Sequence, residues 1–180
     1  VAAINGDAIG TGFELALACH HRIALADPKI RLGHPEVKIG IIPSGGAVIR
    51  LMWLLGIERA YPLLLEGRRY SPQEALKVGI VDDLALTPED LLRKAKHWLL
   101  SDPPTRRPWD ELGEEIPGGT AAEPNLGHRI RLATARLSAQ TNDLYPAKRA
   151  IIDLLAEGSK VDFATAYRLD SRYYAKVVTG

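Results

Sequence analysis

Several features are scarce in this 180-residue sequence, and each scarcity argues against a class of protein. A single cysteine, Cys19, excludes an internal disulfide and suits a reducing compartment such as the cytoplasm. No apolar run approaches the roughly 20 residues that a membrane-spanning helix needs. A formal net charge of +1 gives no reason to expect nucleic acid or an anionic membrane as a partner. The remaining balance, 46% hydrophobic and 25% charged, is typical of a globular domain with a core.

Motifs for metal, nucleotide and serine chemistry are also missing. His20 and His21 are adjacent, so their side chains should point apart, and the other histidines are scattered along the sequence. The sequence contains no Gly-x-Ser-x-Gly, and Gly10-Thr11-Gly12 lacks the third glycine of a dinucleotide fingerprint. We therefore expect no metal and no bound cofactor in this chain.

Apolar periodicity and turn residues predict an α/β front followed by a helical back. Short strands are expected at residues 1–4, 21–26, 30–32, 37–42 and 80–84. Helices are expected at 14–19, 47–55 and 57–65, then between Ser71 and Gly79, and from Thr87 to about residue 100. Three more are expected at roughly 125–140, 146–157 and 162–178.

Composition divides the sequence into three parts. Residues 1–101 carry the αβ pattern, 102–124 form a loop rich in proline and glycine, and 125–180 are helical. The sequence opens inside an apolar strand without a methionine, so we expect an earlier segment to be missing.

Glu14 is the first candidate functional residue, because Gly10-Thr11-Gly12-Phe13-Glu14 opens an apolar helix. One interpretation is a capping box, in which Thr11 caps the helix and Glu14 bonds back to the Thr11 amide. The other is a catalytic turn, in which the helix N-terminus binds a developing oxyanion while Glu14 acts on a nearby water.

Glu36 is the second candidate, at the end of Leu32-Gly33-His34-Pro35-Glu36. Pro35 should hold the chain extended just before it. The alternative is a surface glutamate at a strand end. Two carboxylates aimed by neighbouring turns could move two protons, which indicates an enzyme. A later glycine-rich turn, 41–46, is interpreted either as an anion site or as a flexible helix start.

The order of these motifs resembles that of the crotonase (enoyl-CoA hydratase/isomerase) superfamily. Residues 1–19 are similar to its glycine-turn signature, and 22–24, 32–40 and 67–75 continue the similarity in order. Segments 108–110, 116–120, 140–142, 145–147 and 171–174 resemble bacterial multifunctional fatty-acid oxidation α-subunits. The resemblance covers nearly the whole chain.

The resemblance implies a fold and a reaction. The fold would be a crotonase-like ββα spiral of α/β class, truncated at its N-terminus and followed by a helical tail. The reaction would be syn hydration of a 2-trans-enoyl-CoA, with Glu14 activating water and Glu36 delivering a proton to C2. The Thr11 amide would bind the thioester oxygen, and the second oxyanion donor would lie before residue 1. The rest of the oxyanion and substrate site would be formed by Gly10, Gly12, Gly33 and Pro35.

The resemblance also implies partners. An acyl-CoA thioester would be the substrate, and the last helix would lead to an NAD-dependent 3-hydroxyacyl-CoA dehydrogenase domain, the one place where NAD is expected. A thiolase β-subunit or further copies of the chain would be protein partners. Two other interpretations stay open: a monofunctional enoyl-CoA isomerase or hydratase, and a non-catalytic scaffold with this fold.

Two residues depart from the family pattern. Thr11 replaces the middle glycine of a Gly-Gly-Gly triplet, and Ser44 replaces a glycine in Pro-Gly-x-Gly-Gly. A β-branched residue resists both positive φ and a close approach of the backbone to the substrate, so Thr11 is expected to lower activity without abolishing it.

Overall fold

Short parallel strands form the front of the molecule. The computed structural model describes residues 1–104, 106–111, 115–141 and 144–180. Strands β1, β3 and β5 make one parallel sheet in that order, and β2 and β4 make a second parallel pair. The strands are β1 (Ala2–Ile4), β2 (Ala8–Ile9), β3 (Arg22–Leu25), β4 (Leu32–Gly33) and β5 (Asp83–Ala85).

Helices make up most of the remaining structure. Short 3-10 helices lie at Glu36–Ile39 and Pro108–Asp110. The α-helices are α1 (Thr11–Ala18), α2 (Ala47–Leu55), α3 (Ile57–Glu66), α4 (Pro72–Val78), α5 (Pro88–Leu100), α6 (Pro124–Thr141), α7 (Pro146–Gly158) and α8 (Phe163–Thr179). This α/β architecture with a helical C-terminal part confirms the expected fold class.

Capping residues explain the helices that the sequence predicts well. The Ser71 hydroxyl accepts a hydrogen bond from the Glu74 amide, and the Glu74 carboxylate accepts one from the Ser71 amide at 2.9 Å. This capping box satisfies two backbone donors at the start of α4, and Gly79 ends that helix in the left-handed conformation. The Thr87 hydroxyl caps α5 in the same way, at 3.1 Å from the Asp90 nitrogen.

The main core lies where the front and the helical part meet. Helix α7 packs against α2, α3, α6 and α8, and α8 also contacts α2. Residues from α2 and α7 are fully or almost fully buried there, namely Val48, Ile49, Leu51, Met52, Ile151, Ile152, Leu154 and Leu155. Helices α7 and α8 therefore cover α2 and complete the core.

The predicted strand at 37–42 is wrong, because Glu36–Ile39 is a 3-10 helix. Pro35 has φ −84° and ψ 4°, so it does not hold the chain extended, and Gly40 ends the turn at φ 83°. A short apolar run does not distinguish strand from helix by its periodicity, which explains the error. The strand predicted at 80–84 lies later, at Asp83–Ala85, and Ala8–Ile9 was not anticipated as a strand.

Within the residues described, no helix combines the length and the apolar character required to cross a membrane.

Replacing Ser71 by alanine is expected to lower the free energy of unfolding by about 1 kcal/mol, because the capping box loses its hydroxyl acceptor. Chemical denaturation of wild type and variant measures the difference. Lys77→Ala, at an exposed position of the same helix, is the control and should stay within about 0.5 kcal/mol of wild type. Equal stability of Ser71→Ala and wild type would show that the cap contributes nothing.

Candidate active site

The pairing of β2 with β4 brings the two candidate glutamates together. Ala8 lies beside Leu32 and Ile9 beside Gly33, and the Gly10 amide donates to the Gly33 carbonyl at 3.0 Å. Because the strands are parallel, the turns that follow them leave the same edge. Helix α1 and the 3-10 helix start there.

The side chains of Glu14, His34 and Glu36 form a cluster at this edge. One oxygen or nitrogen atom from each lies within 4.8 Å of the others. Glu14 is only 6% exposed and His34 only 4% exposed. The structure thus places both predicted carboxylates at one largely buried point.

Glu14 is held by the backbone of a distant turn. Its Oε1 accepts hydrogen bonds from the Ser44 amide at 2.8 Å and the Ser44 hydroxyl at 3.2 Å. Its Oε2 lies so close to Gly45 that a Cβ there would stand 2.7 Å away. Gly45 also has φ 58°, so position 45 requires glycine for two reasons, the close approach of Glu14 and the positive φ.

The capping-box interpretation of Thr11 and Glu14 is therefore wrong. The N-cap of α1 is Gly10, no side chain caps the helix, and the Glu14 carboxylate reaches Ser44 instead of returning to the Thr11 amide. The Thr11 amide is therefore not occupied by the Glu14 carboxylate.

Thr11 does not carry the backbone strain that its sequence position suggested. The positive φ, 58°, belongs to Gly10, whereas Thr11 is the first helical residue and is exposed. The Thr11 amide is one of the first-turn donors of α1, where the helix dipole favours negative charge. One reason for expecting Thr11 to lower activity, an unfavourable φ, is therefore absent from the structure, whereas the other, a hindered approach of the backbone to the substrate, stays a prediction.

The glycine at position 10 is needed for a second reason. A Cβ on Gly10 would lie 2.9 Å from Glu36 Oε1, so the backbone of the first turn packs directly on the second carboxylate. Gly12, by contrast, is exposed and has no heavy atom within 4 Å of such a Cβ. Of the two outer residues of this triplet, only Gly10 contacts a candidate carboxylate.

Gly33 and Pro35 shape the second turn. Gly33 is buried with φ 132°, and a Cβ there would lie 2.8 Å from the Arg68 carbonyl oxygen. Pro35 is the N-cap of the 3-10 helix and precedes Glu36. Both positions therefore set the path of the backbone that carries Glu36.

His34 is a site residue that the sequence analysis missed. Its Nδ1 lies 3.4 Å from Glu36 Oε1, and its ring packs on Phe13 with 5.4 Å between centroids. Within the described part of the chain, His34 Nε2 and Glu36 Oε2 are buried without a hydrogen-bond partner. His34 lies apart from the other histidines in the sequence, as expected, but beside two glutamates in the structure, and its place between Gly33 and Pro35 was the available signal.

The three side chains also form a possible donor set for a cation. Two carboxylates and an imidazole are common ligands of divalent metals. However, Glu14 is already held by Ser44, and close carboxylates are equally suited to accepting and delivering protons.

A third carboxylate, also buried, contacts the Ser44–Gly46 turn that holds Glu14. Asp170, on α8, accepts a hydrogen bond from the Gly46 amide at 3.1 Å. Burial raises the pKa of Asp170 to about 7, the Glu14 charge acts in the same direction, and the Gly46 hydrogen bond and the Arg50 charge oppose the shift. No sequence pattern joins Asp170 to Gly46, because 124 positions separate them.

Gly10→Ala is expected to lower the free energy of unfolding by about 1–3 kcal/mol, since φ 58° is strained for alanine and its Cβ would meet Glu36. Gly12→Ala is the matched control for stability, because it adds a Cβ within the same helix turn without a contact. Thermal and denaturant unfolding of both variants measure the difference. If the Gly10→Ala protein were as stable as the Gly12→Ala protein, position 10 would not require a glycine, and both the strain and the contact with Glu36 would be refuted.

Known proteins are similar to this chain in sequence. Residues 1–101 match the enoyl-CoA hydratase/isomerase family. The chain is 36% identical over 179 residues to the fatty acid oxidation complex subunit alpha of Shewanella halifaxensis, and 36% identical over 180 residues to that of Shewanella amazonensis. Each match covers 99% of this chain and 25% of the relative, so the chain spans about a quarter of their length.

A solved structure shares the fold. The crystal structure of an enoyl-CoA hydratase from Bacillus anthracis has a TM-score of 0.51 and 28% sequence identity, and the match covers 99% of this chain and 54% of that one. Together with the family match, which includes both glutamate turns, this similarity assigns the family. The chain belongs to the enoyl-CoA hydratase/isomerase family.

Proposed function

We propose that this chain is the enoyl-CoA hydratase part of a fatty-acid β-oxidation enzyme, adding water to a 2-trans-enoyl-CoA to give a 3-hydroxyacyl-CoA. One observation carries the proposal: the Glu14 and Glu36 carboxylates lie in one buried cluster beside the N-terminus of α1. Membership of the family and the similarity to named hydratases support it.

Glu14 takes the role of general base. The Ser44 amide and hydroxyl donate to one of its oxygens, which holds the carboxylate in one orientation, as a positioned general base requires. The fixed carboxylate removes a proton from water as the water oxygen bonds to C3 of the substrate. Electrons of the C2–C3 double bond then move toward the thioester, which develops enolate character.

Glu36 completes the addition by giving a proton to C2. The enolate electrons form the new C–H bond, and the thioester carbonyl is restored. Glu14 is left protonated and Glu36 ionised, so one proton must pass from Glu14 to Glu36 before the next turnover. The close approach of the two side chains suits that transfer.

The Thr11 amide takes the role of an oxyanion donor. It belongs to the first turn of α1, where unpaired amides and the helix dipole both favour a developing negative charge. A single oxyanion donor typically contributes about 3 kcal/mol to stabilisation of the transition state. Threonine supplies the same amide as the glycine it replaces.

The non-catalytic scaffold is the less favoured candidate. Burying a carboxylate is costly unless it is hydrogen-bonded, and here the backbone turn at Ser44 provides the hydrogen bonds to Glu14. The isomerase is also less favoured, because double-bond isomerisation can proceed with one glutamate, whereas Glu14 and Glu36 lie together in this site.

We also propose the wider setting from the relatives' printed name and length. The complete protein would carry residues 1–101 as part of the hydratase core, 102–124 as the segment rich in proline and glycine, and 125–180 as a helical region leading to an NAD-dependent 3-hydroxyacyl-CoA dehydrogenase. Residues 105, 112–114, 142 and 143 of the last two segments lie outside the described residues. Its relatives are named as α-subunits of a complex, which supports a thiolase β-subunit or further copies of this chain as partners. A cytoplasmic location belongs to the same proposal.

The test is crotonyl-CoA hydration by the complete gene product that contains this chain. Glu14→Gln and Glu36→Gln should each lower kcat by about 10²–10⁴-fold, the range of one general acid–base group. Loss of the enoyl-thioester absorbance measures the rate.

Glu89→Gln is the control, because Glu89 is an exposed glutamate in the first turn of α5. It should leave the rate unchanged. Full activity of either site variant would overturn the two-carboxylate mechanism. A wild-type protein that binds enoyl-CoA without hydrating it would favour the scaffold, and one that only moves the double bond would favour the isomerase.

A further inference from the structure

Asp170 is a buried carboxylate for which the proposed reaction has no use. It is 1% exposed, and its Oδ2 accepts the hydrogen bond from the Gly46 amide at 3.1 Å. Its Oδ1 is buried and has no hydrogen-bond partner in the described parts of the chain. An aspartate is almost never buried to this extent unless it is paired with another group.

The turn that Asp170 contacts is the turn that holds the candidate base. The Ser44 amide donates to Glu14, and the Gly46 amide, two residues later, donates to Asp170. One short backbone segment thus lies between two carboxylates, one from α1 and one from α8. A movement of the Gly46 end of this segment would move the Ser44 donor at the other end.

Further contacts leave this turn little freedom. Gly46 has φ 81°, and a Cβ there would clash with the Tyr167 ring, one helical turn before Asp170. The Arg50 guanidinium donates to the Gly45 carbonyl and lies over the Tyr167 ring, 5.6 Å from its centroid. Helix α8 therefore contacts the turn through a hydrogen-bond acceptor and an aromatic face.

We propose that Asp170 is a positioning residue for Glu14, acting through the Ser44–Gly46 turn, so that helix α8 sets the orientation of the catalytic base. The inference rests on the proposed hydratase function. Among the described residues, the two carboxylates accept hydrogen bonds from different amides of this turn, Ser44 for Glu14 and Gly46 for Asp170. The positioning effect is therefore transmitted through the backbone of the turn, in addition to the direct electrostatic interaction between the two carboxylates.

The ionisation of Asp170 should make its positioning effect on Glu14 depend on pH. The charged groups that face it are Glu14 from α1 and Arg50 from α2. With a pKa of about 7, Asp170 becomes charged as the pH rises through neutrality, and a charged acceptor holds the Gly46 amide more strongly than a neutral one. We expect kcat to rise with this ionisation.

Protein stability should change in the opposite direction. The pKa of Asp170 is raised in the folded protein from an ordinary value of 3.8, so the folded state binds the proton more tightly. That contribution to stability is fully present below about pH 4 and is lost as the pH rises through about 7. The same group would thus lower stability between about pH 4 and pH 7 and raise activity as the pH passes through about 7.

The first experiment measures crotonyl-CoA hydration by the complete gene product with Asp170→Ala and Asp170→Asn. Asp170→Ala removes the acceptor and should lower kcat about 10–100-fold with little change in KM, as expected for a misplaced catalytic group. Asp170→Asn keeps a neutral acceptor, so it should retain more activity but lose the rise in kcat near pH 7. Asp170→Asn also carries the test if Asp170→Ala does not fold.

Asp153→Asn is the matched control, since it removes a carboxylate from the neighbouring helix α7, where Asp153 pairs with Arg149. It should keep both the wild-type kcat and the rise near pH 7. Denaturant unfolding between pH 4 and pH 8 should show a fall in wild-type stability with rising pH that Asp170→Asn lacks.

The outcomes separate this inference from the proposed function. If wild type does not hydrate enoyl-CoA, the proposed function fails. If wild type is active and Glu14→Gln is not, but both Asp170 variants keep the wild-type kcat and pH profile, the function stands and the positioning role is refuted. An increase in KM with unchanged kcat would also refute it, because substrate binding would then be affected and the base would not.

Discussion

The pairing of β2 with β4 is the contact on which the candidate site depends. Each strand has two residues, so their own hydrogen bonds are few, and the pairing relies on its surroundings. Leu32 also bridges to Tyr70, and Gly33 fits beneath the Arg68 carbonyl where a side chain could not. These contacts fix the register of the two strands. In this register, Gly10, the residue after β2, lies at the same level as His34, the residue after β4.

The two carboxylates reach this point with unequal support. Glu14 receives an amide and a hydroxyl donor from Ser44, whereas His34 is the neighbour within hydrogen-bonding range of Glu36. Such donors hold a carboxylate in one orientation and offset the cost of burying it. The asymmetry agrees with different tasks for the two groups, one that removes a proton from water and one that delivers a proton to carbon.

The sequence predicts the elements that local chemistry determines. Ser71, Thr87 and Gly79 mark helix ends because capping satisfies backbone groups within a few residues, and these boundaries are confirmed. The apolar run after Glu36 forms a 3-10 helix where a strand was predicted, because the periodicity of so short a run does not distinguish a strand from a helix. The contacts of Glu14 with Ser44 and of Asp170 with Gly46 span 30 and 124 positions, beyond any local pattern.

The long-range contacts also change how the helical region is understood. The family match ends at residue 101 and includes both candidate glutamates, which suggests that the remaining helices serve only as a connection. Yet α8 supplies a buried acceptor to the Gly46 amide, and α7 packs across α2 and α3. Helix α2 begins at the turn that holds Glu14. Its buried residues belong to the same hydrophobic core as those of α1, α7 and α8, so the helical region shares one core with the site. Any displacement of α8 must therefore break the contact of Asp170 with Gly46 or move the turn that holds Glu14.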